Sequence, residues 1–362
     1  MPDVAAAALH AFSRSLLVAA GAQPSAAEIV ADSLLDANLA GHDSHGVLRL
    51  AGYLAGVRAG HVDPEAIPTL DSTSGATAII DAHHGWGQPA MLMATHAAIA
   101  AAREFGLGAA VVHHSYHIGR VAPYVEAIAR AGMIGFATAN AAPAVAPFGG
   151  RQRVFGTNPI AWAAPRAEDA PPLCLDVATA GIAEGKLRVA RAKGLTVPPG
   201  NLVDRDGQAS IDPHDFYAGG SLLPFGGHKG SGFSLFAQIL GRGLAEMDPS
   251  AYDGPRGVNG PFVLAIDIAR FTPLDRFRAE VEAQCATVGA CGPVDGVDAV
   301  LLPGQPEQVT RASRERDGIP IPDATWEELL SLAQEWGVEE PEPVRGKEVP
   351  TASSQLRPSG SR

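Results

Sequence analysis

Apolar residues recur at helical spacing through about the first 60 residues, then yield to short apolar runs alternating with longer amphipathic stretches. Residues 5–20 read as an amphipathic helix ended by Gly21. Ser25-Ala26-Ala27-Glu28 has the spacing of a capping box and predicts a second helix, closed near Gly41. A third helix is predicted from Ser44 to Arg58. From residue 76 strands and helices alternate: strands at Ala76–Asp81, Ala109–His114 and Ile134–Asn140, with helices at Pro89–Phe105 and Val121–Ala131 between them. Strands near Pro159–Ala164 and Leu173–Ala178 follow, then a helix from Ser231 to about Met247, a strand at Phe262–Ile268 and a helix at Leu274–Ala286. A late strand at Ala299–Leu302 and a last helix at Thr325–Trp336 close the pattern. Such alternation predicts an α/β architecture.

Composition changes this picture little. A chain of 362 residues, 46% hydrophobic and 18% charged, is long enough for a sizeable core. Residues 338–362 carry Glu-Glu-Pro-Glu-Pro and then Ser, Thr, Pro and Gly, a composition that predicts a disordered tail. The net charge of −12 argues against nucleic acid or an anionic membrane surface as partner. No apolar run is long enough to span a membrane, and no basic leader precedes an apolar stretch. Three cysteines, Cys174, Cys285 and Cys291, suit a reducing compartment, so a cytoplasmic location is expected.

Candidate chemistry gathers in a few polar clusters. Gly41-His42-Asp43-Ser44-His45-Gly46-Val47-Leu48-Arg49 would bring His45 and Arg49 onto one face if the chain is helical from Ser44. An arginine fork grips a carboxylate, and a histidine can remove a hydroxyl proton, which is what a hydroxy acid asks for. The same residues would equally serve as a solvated helix start. His113-His114-Ser115-Tyr116-His117 follows a predicted strand. His113 and His117 are four apart, but metal binding would need a helix there and a third ligand nearby. A strand end delivering one or two histidines into a cleft is the other reading.

Thr138-Ala139-Asn140 and Asp176-Val177-Ala178-Thr179 put further polar groups at strand ends, with Gly185-Lys186 soon after. The G-x-G-x-x-G sign of a Rossmann dinucleotide site is absent. Gly226-Gly227-His228-Lys229-Gly230-Ser231-Gly232 is not a Walker sequence. Its glycines, lysine and following helix would suit an anion, or form only a Gly-rich turn.

Taken together, the stretches His42–Tyr53, His117–Tyr124, Pro143–Pro165, Asp176–Gly207, Leu222–Gly232 and Pro303–Ile321 resemble the non-Rossmann malate/L-lactate dehydrogenase family, in order over about residues 5–325. The resemblance implies an α/β fold of that family's type. Residues 1–70 would form a helical N-terminal part packing with 273–337, beside a central mixed α/β region, 71–272, that holds cofactor and substrate.

The resemblance also implies NAD or NADP as cofactor, a small anionic 2-hydroxy or 2-oxo acid as substrate, and a homodimer with its site near the subunit interface. Ser44, His45 and His117 match the family's acid/base positions, and Arg49 its carboxylate-binding arginine; Thr138 and Asn140 are added as substrate-binding candidates. Cofactor contacts are implied for Ile118, Gly119, Arg120, Val121 and Ala122, for Leu175, Asp176 and Val177, for Gly226, Gly227, His228 and Lys229, and for Pro303, Gly304, Gln305 and Arg311.

Three departures matter. Ile118 replaces the commoner Phe, and Ala180 the Ser that usually closes Asp-x-Ala-Thr-Ser. Lys186, counted with the catalytic set, stands where the family's imine reductases carry an acidic residue. The last favours an alcohol/ketone couple over a cyclic imine. The expected assignment is hydride transfer at C2 of a malate- or lactate-like acid without a metal. His45 would be the main acid/base, with His117 polarising the C2 oxygen or orienting substrate. The alternatives are a cyclic imino-acid reductase, a metal-dependent hydrolase or lyase using His113–His117, and a binding protein without turnover.

Overall fold

The computed structural model describes residues 1–192, 194–245 and 259–344. A two-residue strand β1 (Asp3–Val4) leads into helices α1 (Ala6–Ala19) and α2 (Pro24–Leu39), two 3-10 turns (Asp43–His45 and Val47–Arg49) and α3 (Leu50–Arg58). The central part runs β2 (Thr69–Ser74), β3 (Thr77–Asp81), α4 (Gly87–Phe105), β4 (Leu107–His113), α5 (Ala122–Arg130), β5 (Met133–Ala139), β6 (Ile160–Ala164) and β7 (Leu173–Val177). Next come α6 (Glu184–Ala192), β8 (Leu202–Val203), β9 (Ala209–Ser210), α7 (Pro213–Tyr217), β10 (Ser221–Leu222) and α8 (His228–Gln238), which continues as a π-helical stretch, Ile239–Gly243. The chain then forms β11 (Pro261–Asp267), α9 (Leu274–Gly289), α10 (Gln305–Asp317), β12 (Ile319–Pro320) and α11 (Asp323–Trp336).

The main sheet has seven strands in the order β2-β3-β4-β11-β5-β6-β7. Among the described residues only β3 and β4 pair in parallel in this sheet; every other neighbouring pair is antiparallel. Because β11 runs against both β4 and β5, these two point the same way, as do β3 and β7. The four C-terminal ends therefore open on one edge of the sheet, where α/β folds place their ligands. Alternate strand residues face one core: Ala78 and Ile80, Ala110 and Val112, Ala161 and Ala163, Val263 and Ala265 are all buried. The alanine-rich face of α4 lies close against β4. A Cβ on Gly108 would stand 2.0 Å from the Ala98 carbonyl oxygen, so only glycine permits that approach.

A second core joins α1, α2 and α3 to β12 and α11, around Leu9, Leu16, Leu34, Leu54 and Leu329. The C-terminal part does not join it as one block. α9 docks instead on the central region, where Glu282 receives Arg166 Nε and NH2 at 2.9 and 2.8 Å.

Several expectations need correcting. The second helix begins at Pro24 after Gln23 with no side-chain cap, so Ser25 lies inside the helix and the capping box does not form. Residues 299–302 form no strand; they lead to α10 through the left-handed Gly304. The helix predicted from Ser231 starts earlier, at His228, and its predicted end at Met247 lies outside the described residues. α10 was not predicted because it has no apolar stripe and buries no residue. Ion pairs hold it to the α2 region: Arg311 reaches Asp36, and Arg314 NH1 lies 2.5 Å from Asp43 Oδ1.

Nor does the tail begin at residue 338. Pro341 is buried, Val4 bridges Pro343, and the Val344 amide donates to the Asp3 carbonyl at 2.7 Å. Residues 345–362 lie outside the described residues. Among the described residues all three cysteines are free, and no helix is long and apolar enough to cross a membrane.

Candidate active site

The expected helix from Ser44 does not form. Gly46 is extended (φ −87°, ψ −153°) and divides the segment into two 3-10 turns. Asn38 causes the break: its Oδ1 accepts from the Val47 amide at 2.9 Å, its Nδ2 donates to Asp43 at 2.7 Å, and it occupies the space a Cβ on Gly46 would need. Arg49 nevertheless stays beside the histidine, because its Nε donates to the Ser44 carbonyl at 2.6 Å. That anchor leaves the two terminal nitrogens of the fork for a ligand. Arg49 is half-buried and has no carboxylate partner among the described residues.

His117 comes from the other side, on the segment between β4 and α5. The Gln88 side-chain amide donates to Tyr53 Oη at 2.9 Å, and the Tyr53 hydroxyl lies 2.7 Å from His117 Nδ1. The Gly119 amide also points at Nδ1, at 3.3 Å. An amide can only donate, so Nδ1 is the acceptor and the neutral ring carries its proton on Nε2. The segment itself is pinned by Asn259, whose Oδ1 accepts from the Ile118 amide at 3.1 Å. The His45 and His117 rings stack with centroids 5.7 Å apart and planes 20° apart.

Both histidines are held neutral. Burial, and then the field of Arg49, brings His45 from an ordinary pKa of 6.5 down to about 3, with smaller effects of His42 and Arg120. Burial, Arg49 and His45 hold His117 well below its ordinary value. Ser44 Oγ lies 3.1 Å from His45 Nδ1. Burial raises the Tyr53 hydroxyl above its usual range, so it stays protonated.

A cleft of about 330 Å³ opens at the segment that follows His117, lined by Asp36, Arg120, Ala122, Asp176, Gly304 and Arg311 among others. Asp176 at the end of β7 accepts from the Val121 and Ala122 amides at 2.9 and 2.8 Å and so caps the start of α5. Burial raises its pKa in spite of Arg120 and those two donors. Arg120 is buried, with NH1 2.6 Å from Asp36; its Nε stands 3.9 Å from Asp176 and donates no hydrogen bond among the described residues.

The remaining sequence candidates are dispersed. Thr138 and Asn140 are buried and spent on the backbone: Thr138 donates to the Pro159 carbonyl at 2.7 Å, and Asn140 Oδ1 accepts from the Gly260 amide at 2.7 Å. Neither residue lines the cleft. Lys186 is exposed on α6 and makes no ion pair among the described residues, although its neighbour Gly185 packs directly on Ser44. Gly226, Gly227, His228 and Lys229 do not line the cleft; two left-handed glycines lead into α8, and His228 meets the Phe148 ring at 6.0 Å. Leu175 and Val177 flank Asp176 on β7, and Pro303 and Gln305 flank Gly304 at the start of α10.

His113 and His117 part company. His113 turns to Asp81 and His114, whereas His117 turns to Tyr53 and His45, so the hydrolase site built on both is not formed. Sequence reasoning missed Tyr53, four residues after Arg49, as the partner of His117, although that spacing on a helix is a usable signal. Gln88 and Asn259 left no local signal.

Residues 4–330 match the malate/L-lactate dehydrogenase family. The chain belongs to that family. Among its relatives within the family, a Δ1-pyrroline-2-carboxylate/Δ1-piperideine-2-carboxylate reductase of Pseudomonas syringae pv. tomato is 35% identical over 327 residues, 88% of this chain and 93% of that one. Hydroxycarboxylate dehydrogenase B of Escherichia coli K12 is 36% identical over 341 residues, 92% of this chain and 94% of that one. The solved sulfolactate dehydrogenase of Methanocaldococcus jannaschii superposes with a TM-score of 0.85 at 31% identity, covering 93% of this chain and 98% of that one. This member of the family is an oxidoreductase with the family's mixed α/β fold.

Proposed function

We propose that the protein interconverts a small 2-hydroxy acid and its 2-oxo acid, with NAD or NADP as cofactor. One observation carries the reading: Arg49 is a half-buried cation without a carboxylate partner among the described residues, set against two histidines held neutral. Such a cation calls for a small anion, and the two free nitrogens of its fork suit a carboxylate. His45, neutral in the free enzyme, takes the hydroxyl proton as the acid is oxidised. His117 offers Nε2–H to the C2 oxygen and polarises it, while Tyr53 and the Gly119 amide keep that tautomer. Substrate binding neutralises Arg49, which removes one of the charges that depress both histidines and makes His45 a better base when substrate is bound.

Part of the cofactor is assigned to the cleft. Arg120 Nε is buried there without a partner among the described residues, and Arg311 and the start of α10 stand at its rim. Arg120, Ala122, Asp176, Gly304 and Arg311 would hold the cofactor, and the chemistry a bound nicotinamide supplies is hydride exchange at C2. A homodimer is part of the proposal, supported by an exposed apolar row, Phe233 and Phe236 on α8 and Ile239 at the start of its π-helical continuation.

A second reading, reduction of a cyclic imino acid, is favoured by the likeness to the Pseudomonas syringae reductase. Its substrate would use the same Arg49 clamp. A panel of 2-oxo acids and cyclic imines, assayed with NADH and with NADPH, separates the two. Turnover of an oxo acid at least tenfold more efficient than of any imine supports the first reading; the reverse overturns it. His45→Ala should lower kcat roughly 10²–10⁴-fold and remove a limb of the pH profile, and His117→Ala should lower it less and keep the limb. The opposite pattern would exchange the two roles.

A further inference from the structure

The parallel strands β3 and β4 end side by side, with Asp81 in register with His113. Beyond their ends the two chains stay together: the Ala82 amide donates to the His113 carbonyl at 3.1 Å and the His84 amide to the His114 carbonyl at 2.8 Å. Three histidines, His83, His113 and His114, thereby approach one carboxylate, and the His84 ring packs on that of His114 with centroids 4.7 Å apart. His83, His84 and His114 have left-handed backbone (φ 51°, 60° and 49°), an unusual conformation for residues with a side chain.

The side-chain atoms converge. His114 Nδ1 stands 3.0 Å from Asp81 Oδ1, and His113 Nε2 stands 3.8 Å from Asp81 Oδ2. Ligand atoms of the three residues all lie within 4.8 Å of one another. His113 Nε2 is buried and has no hydrogen-bond partner among the described residues, an arrangement proteins ordinarily avoid. His83 Nδ1 approaches the same carboxylate at 3.4 Å, while its Nε2 meets Thr69 Oγ1 at 2.7 Å. The His83 amide also donates to Asp81 Oδ1 at 2.7 Å, which orients the carboxylate as the hydrogen-bond partners of a metal ligand do.

We propose that Asp81, His113 and His114 form a site for a divalent transition metal of the zinc type. Zinc held at 2.0–2.1 Å by imidazole and carboxylate sets neighbouring ligand atoms about 3.3 Å apart in a tetrahedron. The three ligand atoms, one from each residue and all within 4.8 Å of one another, already stand near that spacing. Two imidazoles and one carboxylate suit zinc, copper or nickel rather than magnesium or calcium, which prefer oxygen ligands. Three protein ligands leave a fourth position for water, and the half-exposed His114 ring opens that side to solvent. A metal here would also give His113 Nε2 the partner it lacks.

The site is separate from the His45–Arg49–His117 cluster and independent of the function proposed above. It ties β3 to β4 where one strand leads to α4 and the other to the segment carrying His117, so the metal would act as a clip on the fold. His10, Glu28 and Asp32 form the other cluster of this kind among the described residues, and Arg14 lies 2.7 Å from Glu28 there, a cation beside the would-be ligands.

The test is a titration of the full chain, stripped of metal by chelator and desalted, with Zn²⁺ by calorimetry and with Co²⁺ by visible absorption. One equivalent of Zn²⁺ should bind with a micromolar or tighter Kd and raise Tm by several degrees. Co²⁺ should give the intense visible bands of a low-symmetry, four-coordinate site. Asp81→Asn and His114→Ala, each checked by circular dichroism and by Tm without metal, should weaken binding at least tenfold; His10→Ala should leave it unchanged. No binding by the wild-type chain, equal binding by the folded Asp81 and His114 variants, or loss of binding in His10→Ala would overturn the site.

Discussion

The hydroxyl of Tyr53 lies 2.7 Å from Nδ1 of His117, and the two residues are 64 positions apart in the chain. With Gln88 donating to the same oxygen, the Tyr53 proton has one place to go, and the histidine tautomer follows. Tyr53→Phe removes that donor and strands the buried Gln88 amide. The expected results are a loss of about 1–3 kcal/mol of stability and a roughly tenfold fall in kcat, with KM little changed. Nitrogen NMR of the wild-type His117 ring should find the proton on Nε2; a proton on Nδ1 would overturn the assignment.

Arg49→Ala should raise KM for the acid substrate by one to two powers of ten, as loss of a charge-assisted contact worth roughly 1.5–3 kcal/mol implies. Arg49→Lys should lose nearly as much, because a point charge does not replace a fork. Burial is the larger cause of the depressed His45 pKa and Arg49 the next, so removing the cation should raise that pKa above about 3. Proton NMR titration of His45 in Arg49→Ala reads this directly, and an unmoved titration would show that the guanidinium does not act on the ring.

The two buried histidines predict how stability depends on pH. Their pKa values are lower in the folded protein than in the unfolded chain, whose histidines titrate near 6.5. Below that pH the unfolded state binds protons that the folded state refuses. Their contribution is therefore intact above about pH 6.5 and is lost as pH falls toward 3, by at most about 1.4 kcal/mol per pH unit for each group. Urea midpoints measured from pH 7 to pH 5 should fall, and the fall should be shallower in His45→Ala. A midpoint independent of pH over that range, or one that rises, would contradict the neutral assignment.

Truncation should distinguish two parts of the C-terminal segment. A chain ending at Val344 keeps the pairing of Val344 with Asp3 and of Pro343 with Val4, and should keep its Tm. A chain ending at Gly337 loses both together with buried Pro341, and should melt several degrees lower. Equal melting temperatures for the two would mean that this edge contributes nothing.

Much of the fold was legible along the chain because burial is periodic. The alternating residues of β3, β4, β6 and β11 and the apolar faces of α1, α2 and α4 report which side of each element meets the core. The His45–Arg49 pair and the Asp176 segment were legible for a different reason: they are short runs of polar residues at turns and strand ends. Tertiary contact decided what no local pattern carries. α10 exists where Arg311 and Arg314 find Asp36 and Asp43, not where an apolar stripe asks for a helix. The break at Gly46 is imposed by Asn38, and the His117 tautomer by Tyr53 and the Gly119 amide. Asp81 meets His113 only because β3 and β4 lie parallel and in register. Hydrophobic burial acts through spacing along one element and can be read from the chain alone; hydrogen bonds and ion pairs between distant residues exist only once folding has brought their atoms within about 3 Å.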